Sequence, residues 1–441
     1  MKAKKIVDFH PFSKQNYSFI NRNVNIREEE GNGTTTFPCI VLIDNNNDIP
    51  VAYTGYEKFI NDLSQTASLS GTTLSKKAFD ICKFLNFILH NTNIDRISDC
   101  TLNDIREFLL ASKKKNGKED YAEDTWNRRL QTVYTFLRNY YLAYRDIYDF
   151  KYDGEDLQNI IFTRDKDNHR MIKFVTNQKL SVKAPKQKHK KNRMLVYGYL
   201  ELLLYEALKY DPMIALGIAL QSFSGAREGE VVNLTVGGVA IVRATFSAVS
   251  GIELDLLEKA SFWEKFDRKT QPGSIKKYRK ARIYDAFVKR TVKLYEDHVL
   301  FLQARGYSTE PDAPLFLNKY GNPMTVQTYS RRVKELFYEH FLPHLKETCE
   351  RQNTWAENAA YIETYEKEYP GAHMFRHWFT MYLITKAHLK EEEIANLRGD
   401  KSIESMASYI HENSDLIEIY KTSAYRFQEK ILEEINKLDG K

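Results

Sequence analysis

The chain is poor in residues that staple, break or coordinate. Its 441 residues include four cysteines, Cys39, Cys82, Cys100 and Cys349, and no two of them make a Cys-x-x-Cys pair. That spacing argues against a zinc ribbon and fits a reducing compartment. Clusters with metal-ligand spacing are missing, and so are glycine-rich loops that would cradle a nucleotide phosphate. Glycine (19) and proline (11) are sparse. The longest apolar runs, such as MIALGIAL, are too short to span a bilayer. The opening MKAKKIVDFHPF is charged and lacks an apolar centre, so no signal peptide is expected, and the protein is expected in the cytoplasm without a membrane partner.

What is present is a large apolar share (42%), abundant Tyr (28) and Phe (25), and long stretches of helical periodicity. These predict packed cores and a mostly α chain. Residues 1–55 read as a small N-terminal module in which FPCIVLID and IPVAYTG are strands joined by the polar turn NNND. From Tyr56 to about residue 145 the pattern is helical. LSKKAFDICKFLNFILH is amphipathic, TLNDIREFLLAS opens with Thr101 as its N-cap, and AEDTWNRRLQTVYTFLRNYYLAY places Arg128 and Arg129 on its polar side. Residues 146–193 read as a polar bridge ending in KAPKQKHKKNR, where Lys183, Lys186, Lys188, Lys190, Lys191 and Arg193 stand without one acid. Such a run is a solvated linker or a strap along a phosphate backbone. From residue 194 to 441 the chain reads as one larger domain, with GIELDLL and YRKARIYD as strands among helices and a second basic cluster, RKTQPGSIKKYRKAR, between them.

Three short stretches could carry chemistry. In SFSGAREGEVVNL, Gly225 ends one helix and Ser224 is placed as the N-cap of the next. Arg227 is then expected in that helix's first turn, with Glu230 on the same face. An Arg braced by a carboxylate can grip two phosphate oxygens; the alternative is an ordinary surface ion pair. In HMFRHWFTMYLI, Phe375, Trp378, Phe379, Tyr382 and Leu383 form an apolar stripe, while His373, Arg376, His377 and Thr380 collect on the other side. In DKSIESMASYIHEN, Ile403, Met406, Ala407 and Ile410 make a buried stripe that leaves the Tyr409 hydroxyl at the helix edge.

The order Arg, basic hairpin, His-x-x-Arg, Tyr resembles the tyrosine recombinase (phage integrase) family. SGAREGEVVNL is similar to the family's T-G-x-R-x-x-E-x-x-x-L box, HMFRHWFTMYLI to H-x-L-R-H-x-x-A-T, and IANLRGDKSIESMASYIH to I-x-x-x-L-G-H followed by the tyrosine. PLFLNKYGNPMTVQTYSRRVKEL is similar to the segment before the second box, and the resemblance runs from about residue 56 to 425. It implies a mainly α fold with a small β-sheet: a helical, SAM-like core-binding domain and a mixed α/β catalytic domain closing as a C-clamp around DNA. It also implies roles. Arg227 and Arg376 would clamp a scissile phosphate, and His373 would bond the same phosphate and help manage the tyrosine proton. Tyr409 would attack phosphorus and leave a 3′-phosphotyrosyl link. Lys269, with Lys276 and Lys277 as rivals, would protonate the leaving oxygen. Glu230 and His377 would support from behind. Lys186, Lys188, Lys190, Lys191, Arg193, Lys276, Lys277, Arg128 and Arg129 are expected DNA contacts.

No cofactor or metal is needed, because one phosphodiester is exchanged for another. One position departs: where the family has His or Trp, this chain has Asp400. A carboxylate beside a phosphate repels it. Asp400 is therefore expected to be turned away or protonated, or Lys401 or His411 supplies the missing donor. The expected activity is site-specific recombination by the integrase or transposase of a mobile element. Its partners would be double-stranded DNA with inverted-repeat core sites, further copies forming a tetramer through the tail AYRFQEKILEEINKL, and optionally a directionality factor. The alternatives are a catalytically impaired DNA-binding protein on the same fold and a type IB topoisomerase.

Overall fold

The computed structural model describes residues 16–27, 34–60, 71–115, 119–120, 123–154, 157, 160–164, 170–174, 181–183, 195–245, 248–256, 275, 279–400 and 435. The chain divides into two compact units, Met1–Lys190 and Lys191–Lys441.

In the first unit, β1 (Tyr17–Arg27), β2 (Thr34–Asp44) and β3 (Ile49–Tyr53) form an antiparallel sheet in that order. The β2–β3 connection closes on Asp48, whose positive φ of 56° suits an Asp in a tight turn. Three helices follow: α1 (Gly71–Asn91), α2 (Leu102–Ala111) and α3 (Glu123–Tyr144). Thr101 caps α2 as expected: it accepts from the Asp104 N–H, and the Asp104 carboxylate accepts from the Thr101 N–H at 2.8 Å. Sheet and helices share one core. Phe19, Ile40 and Leu42 pack with Tyr56, Ile81, Leu85, Trp126 and Leu130. The side chain of Asn86 on α1 secures this joint by accepting from the Phe19 N–H (2.7 Å) and donating to the Phe19 carbonyl (2.9 Å). One amide thus satisfies both polar groups of a strand residue that is 1% exposed.

The stretch read as a polar bridge carries a further antiparallel meander, β6 (Ile160–Arg164), β7 (Arg170–Phe174) and β8 (Ser181–Lys183). It is preceded by a two-residue pairing of β4 (Lys114–Lys115) with β5 (Glu119–Asp120).

The second unit is built around α5 (Pro212–Ser224), of which every residue from Met213 to Ser224 is buried. A helix apolar on all sides is a core helix. It is flanked by α4 (Tyr199–Tyr210) and followed by the short α6 (Glu228–Val232). A sheet of β9 (Val239–Arg243), β10 (Val249–Leu256) and β11 (Arg279–Arg282) comes next, with β10 central. The remaining helices are α7 (Val288–Ala304), α8 (Val326–Leu336), α9 (Leu342–Arg351), α10 (Trp355–Lys367), α11 (Met374–Thr385) and α12 (Glu391–Arg398). The expected mainly α fold with small antiparallel sheets is therefore observed. The Trp378 ring of α11 lies near-parallel to those of Tyr197 and Tyr382 in a three-ring cluster, and its Nε1–H donates to the Tyr197 carbonyl at 3.1 Å. This ties α11 to the segment leading into α4, and Trp378 also meets Phe223 of α5 edge-on at 6.3 Å. Among the described residues no helix is long and apolar enough to cross a membrane.

Replacing Asn86 strands two backbone groups of β1. Asn86→Ala is expected to destabilise the protein by about 2 kcal/mol, each unmet buried group costing roughly 1–3 kcal/mol. Urea unfolding would read this as a lower midpoint with unchanged slope. An unchanged midpoint would mean that the sheet does not depend on this joint.

Candidate phosphate-binding site

The site begins where α5 stops. Gly225 takes the left-handed conformation (φ 66°) and closes α5 as its C-cap. A Cβ there would come within 2.7 Å of the Phe379 ring, so both the backbone angle and the space select glycine. Two residues on, Arg227 is the N-cap of α6, not a member of its first turn as expected, and Ser224 belongs to the preceding helix. Glu230 makes the brace. Its carboxylate accepts from the Arg227 backbone N–H at 2.9 Å and from the Arg227 Nη1 at 3.0 Å.

A second left-handed glycine ends α12: Gly399, φ 66°. A Cβ on it would lie 2.4 Å from Nε of Arg279, so its absence lets the β11 arginine lie across the helix end. Asp400 follows, its N–H donating to the Ala395 carbonyl at 2.9 Å.

These two helix ends enclose Arg376. Its side chain is 1% exposed. Nη1 donates to the carbonyls of Gly225 and of Arg398 (3.1 Å for the latter), and Nη2 donates to Oδ1 of Asp400 at 2.5 Å. The same Oδ1 accepts from Arg227 Nη2 at 3.0 Å. The other carboxylate oxygen, Oδ2, lies 3.0 Å from Arg398 Nε. Arg279 approaches Glu230 from the far side at 3.4 Å. Four guanidiniums thus surround two carboxylates, leaving an excess of two positive charges. The neighbouring Glu228 is turned to the Ser330 hydroxyl instead. Burial, reinforced by the cations of Arg398 and Arg227, pushes Arg376 down to about 9, and burial also lowers Arg279. A cluster so short of negative charge has the electrostatics of an anion site.

Asp400 is accordingly not turned away. Its Oδ1 receives donors from two guanidiniums at once, Arg227 Nη2 and Arg376 Nη2. His373, the N-cap of α11, and His377 one turn on stand half-buried, their rings edge-to-face at 5.1 Å. The polar side expected for α11 is not a face. Arg376, Thr380, Met381 and Thr385 are buried with the apolar stripe, and the Thr380 hydroxyl donates back to the Arg376 carbonyl at 2.9 Å. Arg279 and Arg398 were not anticipated, although both lie inside the basic hairpin and the LRGD turn. Their side chains gave no periodic signal to separate them from surface cations. Lys186, Lys188, Lys190, Lys191, Arg193, Lys269, Lys276, Lys277, Lys401, Tyr409 and His411 lie outside the described residues. No group of His, Cys, Asp and Glu that could hold a metal occurs among the described residues.

Residues 56–142 match the family model of the phage integrase N-terminal SAM-like domain. No curated protein matches the chain. Among solved structures it is similar to XerH site-specific recombinase bound to a palindromic difH substrate, at 16% identity over 79% of this chain and 79% of that one, TM-score 0.45. It is similar to lambda integrase bound to DNA at 12% identity over 79% and 90%, TM-score 0.45. It is also similar to the Tn1549 transposon integrase in complex with transposon right end DNA at 16% identity over 80% and 92%, TM-score 0.44.

Within the SAM-like segment the two expected DNA-contacting arginines of α3 separate. The Arg128 side chain is half exposed, 3.3 Å from Asp80. That of Arg129 is 3% exposed and donates to the buried Asp80 carboxylate (3.1 Å) and to the Ser112 carbonyl (2.8 Å). Arg129 is a core ion-pair member and does not face solvent. The helical pattern could not reveal this, because its partner lies 49 residues away on α1.

Asp80→Ala would leave Arg129 charged and buried without its counter-ion. Breaking such a pair from one side costs about 3–5 kcal/mol, and chemical denaturation is expected to show a loss of that order. A loss below about 1 kcal/mol, the range of exposed pairs, would place Arg129 at the surface.

Proposed function

We propose that this chain is a tyrosine recombinase that cuts and rejoins double-stranded DNA through a 3′-phosphotyrosyl intermediate. The observation that carries this reading is the convergence of Arg227 and Arg376 on a single anionic oxygen, within a cluster holding two more positive charges than negative. Guanidiniums aimed at one point can grip the non-bridging oxygens of a phosphodiester and stabilise the charge that accumulates at five-coordinate phosphorus. The SAM-like match at residues 56–142 supports the reading from a separate part of the chain.

The proposed reaction is isoenergetic. The Tyr409 oxygen bonds to phosphorus as the bond from phosphorus to the 5′-oxygen breaks. The tyrosine proton leaves with the help of His373, and the 5′-oxygen gains a proton from Lys269 or from its rivals Lys276 and Lys277. Rejoining is the reverse step, with the 5′-hydroxyl of another strand as nucleophile. Guanidinium charges gathered at the bound phosphate would favour the tyrosinate form of an attacking tyrosine, whose ordinary pKa is near 10. We further assign the chain to a mobile element, acting in the cytoplasm as a tetramer on inverted-repeat core sites, with a directionality factor as a candidate partner. The basic residues of 183–193 are proposed as phosphate-backbone contacts.

A second reading has one observation in its favour. Asp400 occupies the focus of the arginines, as it would in a recombinase fold kept for binding DNA and no longer for cutting it.

The two readings separate on duplexes selected by the protein from a random-sequence pool and nicked within the bound site. Incubation followed by denaturation is expected to yield a covalent protein–DNA adduct that Tyr409→Phe abolishes. Arg227→Ala should slow its formation by roughly 10²–10³, as for loss of one donor to a developing oxyanion. Specific binding without any adduct would select the DNA-binding reading.

A further inference from the structure

A non-bridging phosphate oxygen held by Arg227 and Arg376 together must lie about 2.7–3.0 Å from donors of both. That point is taken. Oδ1 of Asp400 sits 3.0 Å from Arg227 Nη2 and 2.5 Å from Arg376 Nη2. Two like-charged oxygens cannot share it, so either the carboxylate or the phosphate is bound. The carboxylate is well matched to the seat. It is planar and bidentate, its side chain is 6% exposed, and its second oxygen faces Arg398 at 3.0 Å. What can move is the side chain. The backbone at Asp400 is tied to α12 through the Ala395 carbonyl, and the turn at Gly399 is held by its left-handed cap. Arg376 has the Gly225 and Arg398 carbonyls as acceptors besides Asp400.

We propose that Asp400 is an internal substitute for the substrate phosphate, filling the arginine seat of the free protein and leaving it when a phosphodiester enters. This rests on the phosphate reading of the site. The exchange is neutral in charge, one monoanion for another, so the occupied seat carries the same net charge with either ligand. Its consequence is a reduced apparent affinity. The observed dissociation constant is the intrinsic one divided by the fraction of time the carboxylate is out. Asp400 thereby sets how strongly the site holds any phosphate, and it makes engagement depend on contacts elsewhere along the DNA. In the family it resembles, this position carries a neutral donor that would add to phosphate binding; here the residue subtracts from it.

The test uses inorganic phosphate as the probe and the full-length chain, at constant ionic strength against chloride. Equilibrium dialysis and the phosphate-dependent rise in melting temperature are compared between the wild type and Asp400→Asn, with circular dichroism confirming that the variant is folded. The variant is expected to bind phosphate at least about tenfold more tightly, corresponding to a carboxylate that is out no more than a tenth of the time. Adding Arg227→Ala to it should remove the gain. Should Asp400→Asn not fold, Asp400→His gives the same comparison with a neutral donor. Equal or weaker phosphate binding in the folded variant would overturn the proposal and leave Asp400 as a brace that holds the arginines in place. The measurement needs neither Tyr409 nor strand cleavage, so it stands or falls apart from the covalent-adduct experiment.

Discussion

The site depends on one buried guanidinium. Arg376 has almost no contact with solvent, and moving such a cation out of water costs several kcal/mol unless its donors are met. The chain meets them with two helix C-termini, the Gly225 carbonyl beyond α5 and the Arg398 carbonyl at the end of α12. These are the negative ends of helix dipoles. Both helices end in a left-handed glycine, so each turns sharply enough to present a carbonyl at the same point. The fold's most buried helix, its penultimate and last described helices, and two glycine turns therefore share one purpose, which is to hold Arg376 still. Placement on rigid elements is what lets a guanidinium act as a preorganised charge.

Charge imbalance follows from this construction. Glu230 is committed to Arg227 and Arg279, and Asp400 to Arg227, Arg376 and Arg398. The lowered pKa of Arg376 expresses the strain of so many cations in a desolvated space. In the proposed reading a phosphodiester enters only by taking the place of a carboxylate already there. Stability and phosphate binding thus pull in different directions at Asp400 in the proposed reading. The carboxylate stabilises the free protein and opposes its ligand.

Much of this was legible in the sequence, though unevenly. The helices α1, α2 and α3 and the strands β2 and β3 follow from periodicity and turn chemistry, down to Thr101 as a cap. Strand β1 was not anticipated, because the polar run Asn21, Arg22, Asn23 interrupts its alternation and because the Asn86 side chain, distant in sequence, satisfies its backbone. The meander β6–β8 lies in a stretch whose charge pointed to a linker. Arg227, Glu230 and Arg376 could be picked out because their spacing is local. The contributions of Arg279 and Arg398, the burial of Arg129 and the inward turn of Asp400 rest on contacts across 22 to 173 residues. Local pattern carries no information about those contacts. A carboxylate near a phosphate site reads as repulsive in sequence. In the fold its charge is more than offset by three guanidiniums.

The most direct test of the central claim, that the arginine cluster is aimed at the charge of a scissile phosphate, changes the charge on the DNA instead of the protein. Nicked duplexes would carry an uncharged methylphosphonate at the scissile position, and adduct formation would be compared for the wild type and Arg227→Ala on both substrates. If Arg227 neutralises the phosphate, its removal should matter far less on the methylphosphonate than on the phosphodiester. Equal losses on the two substrates would show that Arg227 does not answer to that charge, and would contradict the account.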